Sequence, residues 1–144
     1  MSRETLKTLF HPFVTETVAL PGEGTRYLFL GAEAGFAKPD GFAAELTVVQ
    51  GFRPDFRRLE AAHQAPVAVV EGDDFDGALI LCDKHKGINE DRVAEALKRV
   101  KAGGLVVIAG AKEDGVQPLR KQLDRLGFAP ESMPKYHGVA VWFT

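Results

Sequence analysis

The stretch YLFLGAEAGF, residues 27–36, contains the first residues whose types and spacing could serve chemistry. Four apolar residues lead into Gly31, and a second glycine, Gly35, follows shortly after it. A buried strand that ends in a glycine turn is where α/β proteins hold nucleotides and adenosine cofactors. Glu33 lies between the two glycines and brings both bulk and negative charge into the turn. The segment therefore predicts either a cofactor loop or a loop that is retained for the fold alone.

Basic residues form a second candidate site. Lys84, His85 and Lys86 directly follow an apolar segment, and they could contact RNA phosphates. They could equally form an ordinary solvated surface, because the 18 lysines and arginines of the chain must lie somewhere. The net charge is −2, so any binding of nucleic acid has to come from a local patch. The candidates for RNA contact are Lys84, His85, Lys86, Arg53 and Arg57, with Arg58 extending the patch and Arg92 a weaker member.

Other kinds of active site are not indicated. The four histidines show no spacing that would bring two of them to one metal ion together with Cys82, so we expect no metal site. No serine lies in a nucleophile-elbow pattern, and no glycine-rich loop ends in Gly-Lys-Ser/Thr. We expect Cys82 to be a small core residue and His137 to be a hydrogen-bonded packing residue.

The pattern of apolar residues predicts strands that alternate with helices. We expect buried strands at 27–30, 47–50, 67–71, 75–83 and 105–110, weaker strand character at 15–20, and a last strand within 136–144. This alternation implies right-handed βαβ units, hence an α/β fold with a mainly parallel sheet and helices on both faces. We expect the last strand to pair antiparallel at the far edge of the sheet.

The predicted helices have recognisable boundaries. The first begins after a Ser2 cap and carries the apolar stripe of Leu6, Leu9, Phe10 and Phe13, which we expect to pack in the core. The others are a short helix at 39–46, a helix at 53–63, a helix capped by Asn89 and stopped by Gly103 and Gly104, and a helix opened by Pro118 and closed by Gly127.

Length and composition limit the domain number and the class of protein. A length of 144 residues, with 45% hydrophobic residues, predicts a single domain over 1–144 that is large enough for a proper core. No apolar run approaches the roughly 20 residues of a membrane span. The N-terminus lacks the features of a secretory signal and Cys82 is the only cysteine, so we expect a cytoplasmic protein. Because the sequence stops directly after VAVWFT, we expect this domain to be part of a longer protein.

Several segments resemble known proteins. YLFLGAEAG, FDGALILCD and ALKRVKAGGLVVIAG resemble the first, fourth and fifth strand regions of class I methyltransferases, which bind S-adenosylmethionine. The second half, with its Lys84-x-Lys86, Gly115-Val116 and Lys135-Tyr136-His137 features, is similar to the N-terminal domain of the small-subunit ribosomal RNA methyltransferase C family. The resemblance implies a Rossmann-like fold and a degenerate first domain, followed in the same chain by a catalytic domain that methylates a guanine amino group.

The resemblance also assigns positions around a cofactor. In the family pattern Gly31 and Gly35 match outer loop glycines, whereas Glu33 replaces the middle glycine and Gln50 replaces the acid that holds the ribose. Asp73 could supply the acid near the adenine, although a turn residue is the simpler interpretation. The catalytic Asn-Pro-Pro-aromatic segment is replaced by CDKHKG, which implies no catalytic residue here. The cofactor-type residues are thus Gly31, Glu33, Gly35, Gln50 and Asp73, in a degenerate site.

Three functional hypotheses follow. The first is a non-catalytic domain of an S-adenosylmethionine-dependent ribosomal RNA guanine methyltransferase, without cofactor of its own, which supports the catalytic domain and contacts ribosomal RNA. The second is a self-sufficient methyltransferase with an atypical site built around Gly31, Gly35, Gln50 and Asp73. The third is a stand-alone α/β interaction module. A fragment would keep an apolar face for its missing partner, so a homodimer is a further expectation.

Overall fold

The computed structural model describes residues 4–144 as alternating helices and strands. Four α-helices and six strands are present in this range, with one turn of 3-10 helix at Lys112–Asp114. The helices are α1 (Glu4–Val14), α2 (Arg53–Ala61), α3 (Lys86–Arg99) and α4 (Val116–Arg125). The strands are β1 (Arg26–Leu30), β2 (Glu45–Val49), β3 (Phe75–Leu81), β4 (Val100–Ala111), β5 (Glu131–Lys135) and β6 (Gly138–Phe143).

The six strands form one sheet in the order β2-β1-β3-β4-β6-β5. The first four strands are parallel, and β6 lies antiparallel to both β4 and β5. Parallel neighbours need a crossover connection. Helix α3 supplies it between β3 and β4, whereas the loop 31–44 connects β1 to β2. The expected α/β class with a mainly parallel sheet is therefore confirmed.

Two apolar layers hold the helices against opposite faces of the sheet. Successive side chains of a strand point to opposite faces, so Phe29 joins one layer and Leu28 the other. The α1 stripe of Leu6, Leu9, Phe10 and Phe13 packs in the first layer, as expected from its spacing. The second layer receives the apolar residues of α3 and α4, namely Val93, Ala96, Val116, Leu119 and Leu123. Helices thus cover both faces of the sheet.

Parallel register brings the carboxyl ends of four strands to a single edge. Leu30 of β1 pairs with Val49 of β2 and with Ile80 of β3, and Leu81 pairs with Ala109 of β4. The loops that follow these strands therefore lie side by side, as they do wherever α/β proteins bind ligands. We call this the carboxyl edge of the sheet.

The opposite, amino edge is held by a carboxylate. Asp76 accepts a hydrogen bond from the backbone N–H of Arg26 at 2.8 Å and another from Lys101 Nζ at 3.0 Å. The backbone bond from Arg26, and then the bond from Lys101, hold the pKa of Asp76 below its ordinary value. This carboxylate ties together the starts of β1, β3 and β4.

Several predicted elements are wrong. Residues 15–20 form turns and irregular structure instead of a strand. In place of the helix predicted at 39–46, residues 39–44 form a loop and residues 45–46 begin β2. The predicted strand 67–71 is reduced to one bridge, between Val67 and Val49. The last strand is not at the edge, because β5 pairs outside it. The Ser2 cap lies outside the described residues.

The boundaries of the third helix also differ from the prediction. It begins at Lys86, with His85 as the cap residue, so Asn89 lies inside its first turn. It ends at Arg99, before the two glycines, and β4 runs through Gly103 and Gly104. Among residues 4–144, no helix combines the length and apolar character needed to span a bilayer.

Candidate functional site

A cleft of about 1050 Å³ opens at the carboxyl edge of the sheet. Its floor is formed where β1 and β2 end, and its walls come from the loop after β2, the segment 68–70, the loop after β3 and helix α3. Of the residues assigned to a cofactor by resemblance, three line this cleft: Gly31, Glu33 and Gln50. The loop that follows the first apolar strand therefore lies at this cleft.

The side chain of Arg92 packs directly against Gly31. A Cβ atom added at Gly31 would lie 2.5 Å from both Cζ and Nη1 of Arg92, so only the bare backbone of glycine leaves room for the guanidinium. The Arg92 Nη1 group donates a hydrogen bond to the Leu81 carbonyl at 2.7 Å, which fixes the guanidinium between β1 and β3. The space in front of the first loop glycine thus contains a cation that belongs to the protein itself.

The amide of Gln50 is committed to the backbone. Gln50 is 3% exposed, its Nε2 donates to the Ala32 carbonyl at 2.8 Å, and its Oε1 accepts from the Phe52 N–H at 2.8 Å. These bonds connect the loop after β1 to the loop after β2. Gln50 therefore acts as a brace between two loops, and its oxygen is not directed to a ligand.

Asn89 joins the loop after β3 to the turn after β4. Its Oδ1 accepts from the Asp83 N–H at 2.7 Å, and its Nδ2 donates to the carbonyls of Asp83 at 2.8 Å and Asp114 at 3.0 Å. The side chain is 3% exposed. The sequence did contain a signal for this role, because Asn89, Val93 and Ala96 have the spacing of one helix face and that face is buried.

Acidic and apolar side chains dominate the cleft. Its lining includes five carboxylates against two permanent cations, Lys84 and Arg92. Large apolar side chains are also exposed there: Phe52 is 62% exposed, Val69 73% and Ile88 40%. Phosphate groups require a surplus of positive charge. The cleft is consequently poorly suited to hold the backbone of a nucleic acid.

Two cofactor-type residues do not reach the cleft. Asp73 precedes β3 and lies at the amino edge of the sheet, where its carbonyl accepts a hydrogen bond from Arg26 Nη2 at 2.8 Å. Asp73 therefore lies apart from Gly31 and Gln50, as its simpler interpretation as a turn residue implies, because a residue before a parallel strand lies at the edge opposite to residues that follow one. Gly35 is exposed in the loop 31–44 and is absent from the cleft lining.

The basic candidates are spread along the carboxyl edge. Lys84, His85 and Lys86 are exposed after β3, and the first two line the cleft. Arg53 and Arg57 are exposed on α2, outside the cleft lining, and Arg58 pairs with Asp55 at 2.9 Å. Arg92 is the exception, because it points inward to Gly31. Within residues 4–144 there is no group of three side chains arranged to hold a metal ion.

The brace at Gln50 gives a direct prediction. Gln50→Glu replaces the donating amide with a carboxylate oxygen beside the Ala32 carbonyl, so we expect it to lower the free energy of unfolding by about 2 kcal/mol at neutral pH. Burial raises the pKa of such a carboxyl, so acid should relieve part of the loss. Urea unfolding at two pH values measures both effects.

The matched control for this substitution is Gln117→Glu. Gln117 is exposed in the first turn of α4 and its Oε1 already accepts a hydrogen bond from Arg120, which a carboxylate would keep. We expect almost no change for the control. Equal stability of the two variants would contradict the assignment of Gln50 as a buried brace.

Comparisons with known proteins give structural matches only. No protein-family model matches the chain, and no curated protein matches it. The 16S rRNA methyltransferase RsmC of T. thermophilus, determined in complex with AdoMet and guanosine, has a TM-score of 0.74 and 17% identity over 99% of this chain. The chain spans 43% of the length of RsmC.

A second solved structure is similar over most of its length. Precorrin 8w decarboxylase of Methanobacterium thermoautotrophicum has a TM-score of 0.61 and 14% identity, and the match covers 100% of this chain and 91% of that one. Identities this low bear on architecture alone. Together with the sheet order and the helices on both faces, they show that this chain has a Rossmann-like, methyltransferase-type α/β fold.

Proposed function

We propose that this chain is a non-catalytic, methyltransferase-like domain of a ribosomal RNA guanine methyltransferase. In this proposal the domain binds no S-adenosylmethionine, supports the folding of a catalytic methyltransferase domain in the same protein, and helps that domain to engage RNA in the cytoplasm. The similarity to RsmC, a 16S rRNA methyltransferase, supports the connection to ribosomal RNA. The match covers less than half of RsmC, which supports a role as one domain of such a protein.

The packing of Arg92 against Gly31 carries the proposal. A loop glycine in such folds lets backbone and cofactor approach each other. Here the Arg92 guanidinium occupies the space in front of Gly31, and its hydrogen bond to the Leu81 carbonyl keeps it there. S-adenosylmethionine would have to displace this side chain and also lie beside Glu33 on the cleft lining. The residues present therefore do not fit the cofactor.

The remaining polar groups support the same conclusion. Both ends of the Gln50 amide are bonded to backbone, so a ribose would have to compete with Ala32 and Phe52. Asn89 is the only asparagine in the sequence, and its amide is bonded to Asp83 and Asp114. No described asparagine is therefore available to hold a target amino group after β3, where the family places one.

Calorimetric titration with S-adenosylmethionine tests the proposal. We expect no binding heat from the wild-type chain with ligand up to about 1 mM, which would reveal affinities stronger than about −4 kcal/mol. The double variant Glu33→Gly/Arg92→Ala removes the carboxylate and the guanidinium that oppose the cofactor, and it leaves Gly31 in place. We expect this variant to bind S-adenosylmethionine weakly.

Arg99→Ala in the same Glu33→Gly background is the control. Arg99 lies on the same helix as Arg92, but it bonds to Glu95 and to the Gly72 carbonyl, away from Gly31. We expect this control to give no binding heat in the titration. Micromolar binding by the wild-type chain would overturn the proposal and would favour a self-sufficient methyltransferase.

A further inference from the structure

We propose that the turn between β5 and β6, together with the exposed side of α1, forms a contact site for single-stranded RNA. We call this surface the turn patch; its members are Lys7, His11, Lys135, Tyr136 and His137. The inference rests on the proposed function for its biological setting, since it supposes an RNA partner. Its location differs from that of Lys84, His85 and Lys86, the residues that sequence reasoning favoured.

The turn patch is built on a fixed support. Tyr136 and His137 have φ values of 55° and 60°, the left-handed pair typical of a tight two-residue hairpin turn. The Thr8 hydroxyl of α1 donates to the Lys135 carbonyl at 2.8 Å, which anchors the turn to the helix. A Cβ at Gly138 would lie 3.0 Å from the Gly110 carbonyl oxygen and 3.2 Å from Thr8 Oγ1, so the hairpin is closely seated.

An exposed aromatic ring lies at the centre of the turn patch. Tyr136 is 40% exposed, and the Nζ atoms of Lys135 and Lys7 lie 5.4 and 5.9 Å from the centre of its ring. The His11 ring meets it edge-on at 5.6 Å. An aromatic ring with cations around it is the arrangement on which unpaired bases stack while lysines bind the adjoining phosphates. The flexible lysine stems can move from the ring to a phosphate when a strand approaches.

Charge favours RNA at this patch over the cleft. The turn patch has two lysines against the carboxylate of Glu4, and that carboxylate already contacts His137 Nδ1 at 3.1 Å. The His137 side chain is 94% exposed, so it can present its ring to a ligand. The cleft, by contrast, has more carboxylates than cations along its lining. Both surfaces lie at the carboxyl edge, since Gly138 pairs with Ala111 at the end of β4.

Fluorescence anisotropy with a labelled, unstructured RNA 12-mer provides the test. We expect the wild-type chain to bind the RNA at low salt and Tyr136→Asn to weaken binding about tenfold, because a stacking platform is lost. Asparagine tolerates the left-handed backbone, so this substitution does not strain the turn. Tyr136→Phe keeps the ring and should bind as the wild type does.

Paired charge variants separate the turn patch from the other basic residues. Lys7→Ala/Lys135→Ala should reduce the slope of log K against log salt by about 1.4, or 0.7 for each phosphate contact to a single strand. Lys84→Ala/Lys86→Ala removes the same charge elsewhere and should leave the slope almost unchanged.

Three outcomes would overturn the inference. They are absence of RNA binding by the wild type, unchanged binding by Tyr136→Asn, and an equal loss of slope in both lysine pairs. If the wild type binds no RNA but Tyr136→Asn abolishes self-association in sedimentation, the turn patch is a protein interface instead. The anisotropy experiment contains no cofactor. Binding of S-adenosylmethionine by the wild type would therefore refute the proposed function without changing the measured RNA binding.

Discussion

Gly77→Ala will lower the free energy of unfolding by about 3 kcal/mol, because the sheet has no space for a side chain at this position. Gly77 lies in β3 between Tyr27 of β1 and Leu105 of β4. An added Cβ would overlap the Tyr27 ring and lie 2.7 Å from the Leu105 carbonyl oxygen. The oxygen belongs to a paired strand and cannot move without breaking the register. Urea unfolding monitored by circular dichroism measures the loss.

The control for this prediction is Gly87→Ala. Gly87 lies in the first turn of α3, and an added Cβ would meet no atom within 4 Å. Alanine is the better helix former, so we expect this variant to be as stable as the wild type or more stable by up to about 1 kcal/mol. A loss of similar size in both variants would show that crowding at the Tyr27 ring is not the cause.

Asn89→Leu will have a comparable effect, for a different reason. Leucine is similar in size but cannot form hydrogen bonds. The Asp83 N–H and the carbonyls of Asp83 and Asp114 would then lose the bonds that the buried Asn89 side chain makes to them. An unsatisfied buried group costs about 1–3 kcal/mol, so we expect a total loss of about 3 kcal/mol after partial relaxation. Chemical unfolding gives the loss, and hydrogen exchange at Asp83 shows whether the loop after β3 has opened.

Asp91→Ala is the comparison for Asn89→Leu. Asp91 lies two residues further along α3 and is exposed, so its removal should change stability by less than about 0.5 kcal/mol. Protection of the Asp83 amide should stay native in this variant. Native protection in Asn89→Leu as well would contradict the role of Asn89 as the link between the two loops.

The central strands were predictable because burial on both faces appears directly in the sequence. A strand covered by helices on each side must be apolar at consecutive positions, as in the segments 75–83 and 105–110. The loop 31–44 was not predictable in this way. Phe42 is 5% exposed because it packs on rings distant in sequence, including Phe13 at 5.1 Å and Tyr27 at 5.8 Å. These contacts override the local tendency to form a helix at 39–46.

The candidate site was predictable only in part, for a related reason. Residues directly after a strand are placed by that strand, so Gly31 and Gln50 could be located from the apolar runs before them. The direction of Arg92 depends on how α3 docks on the sheet, and no local pattern contains that information. The alternative place of Asp73 near a cofactor depended on a full strand at 67–71. Only one bridge forms there, and the chain returns to the amino edge before β3.

The hydrogen bond from Thr8 to Lys135 has a consequence for folding during synthesis. It joins residues 127 positions apart, and α1 packs on β4 and β6, which are made late. At about 5–20 residues per second, the first helix leaves the ribosome roughly 6–25 s before the hairpin that anchors it. Until then its apolar stripe has no finished surface to cover. Helix α1 therefore cannot complete its packing until the hairpin of β5 and β6 has been made.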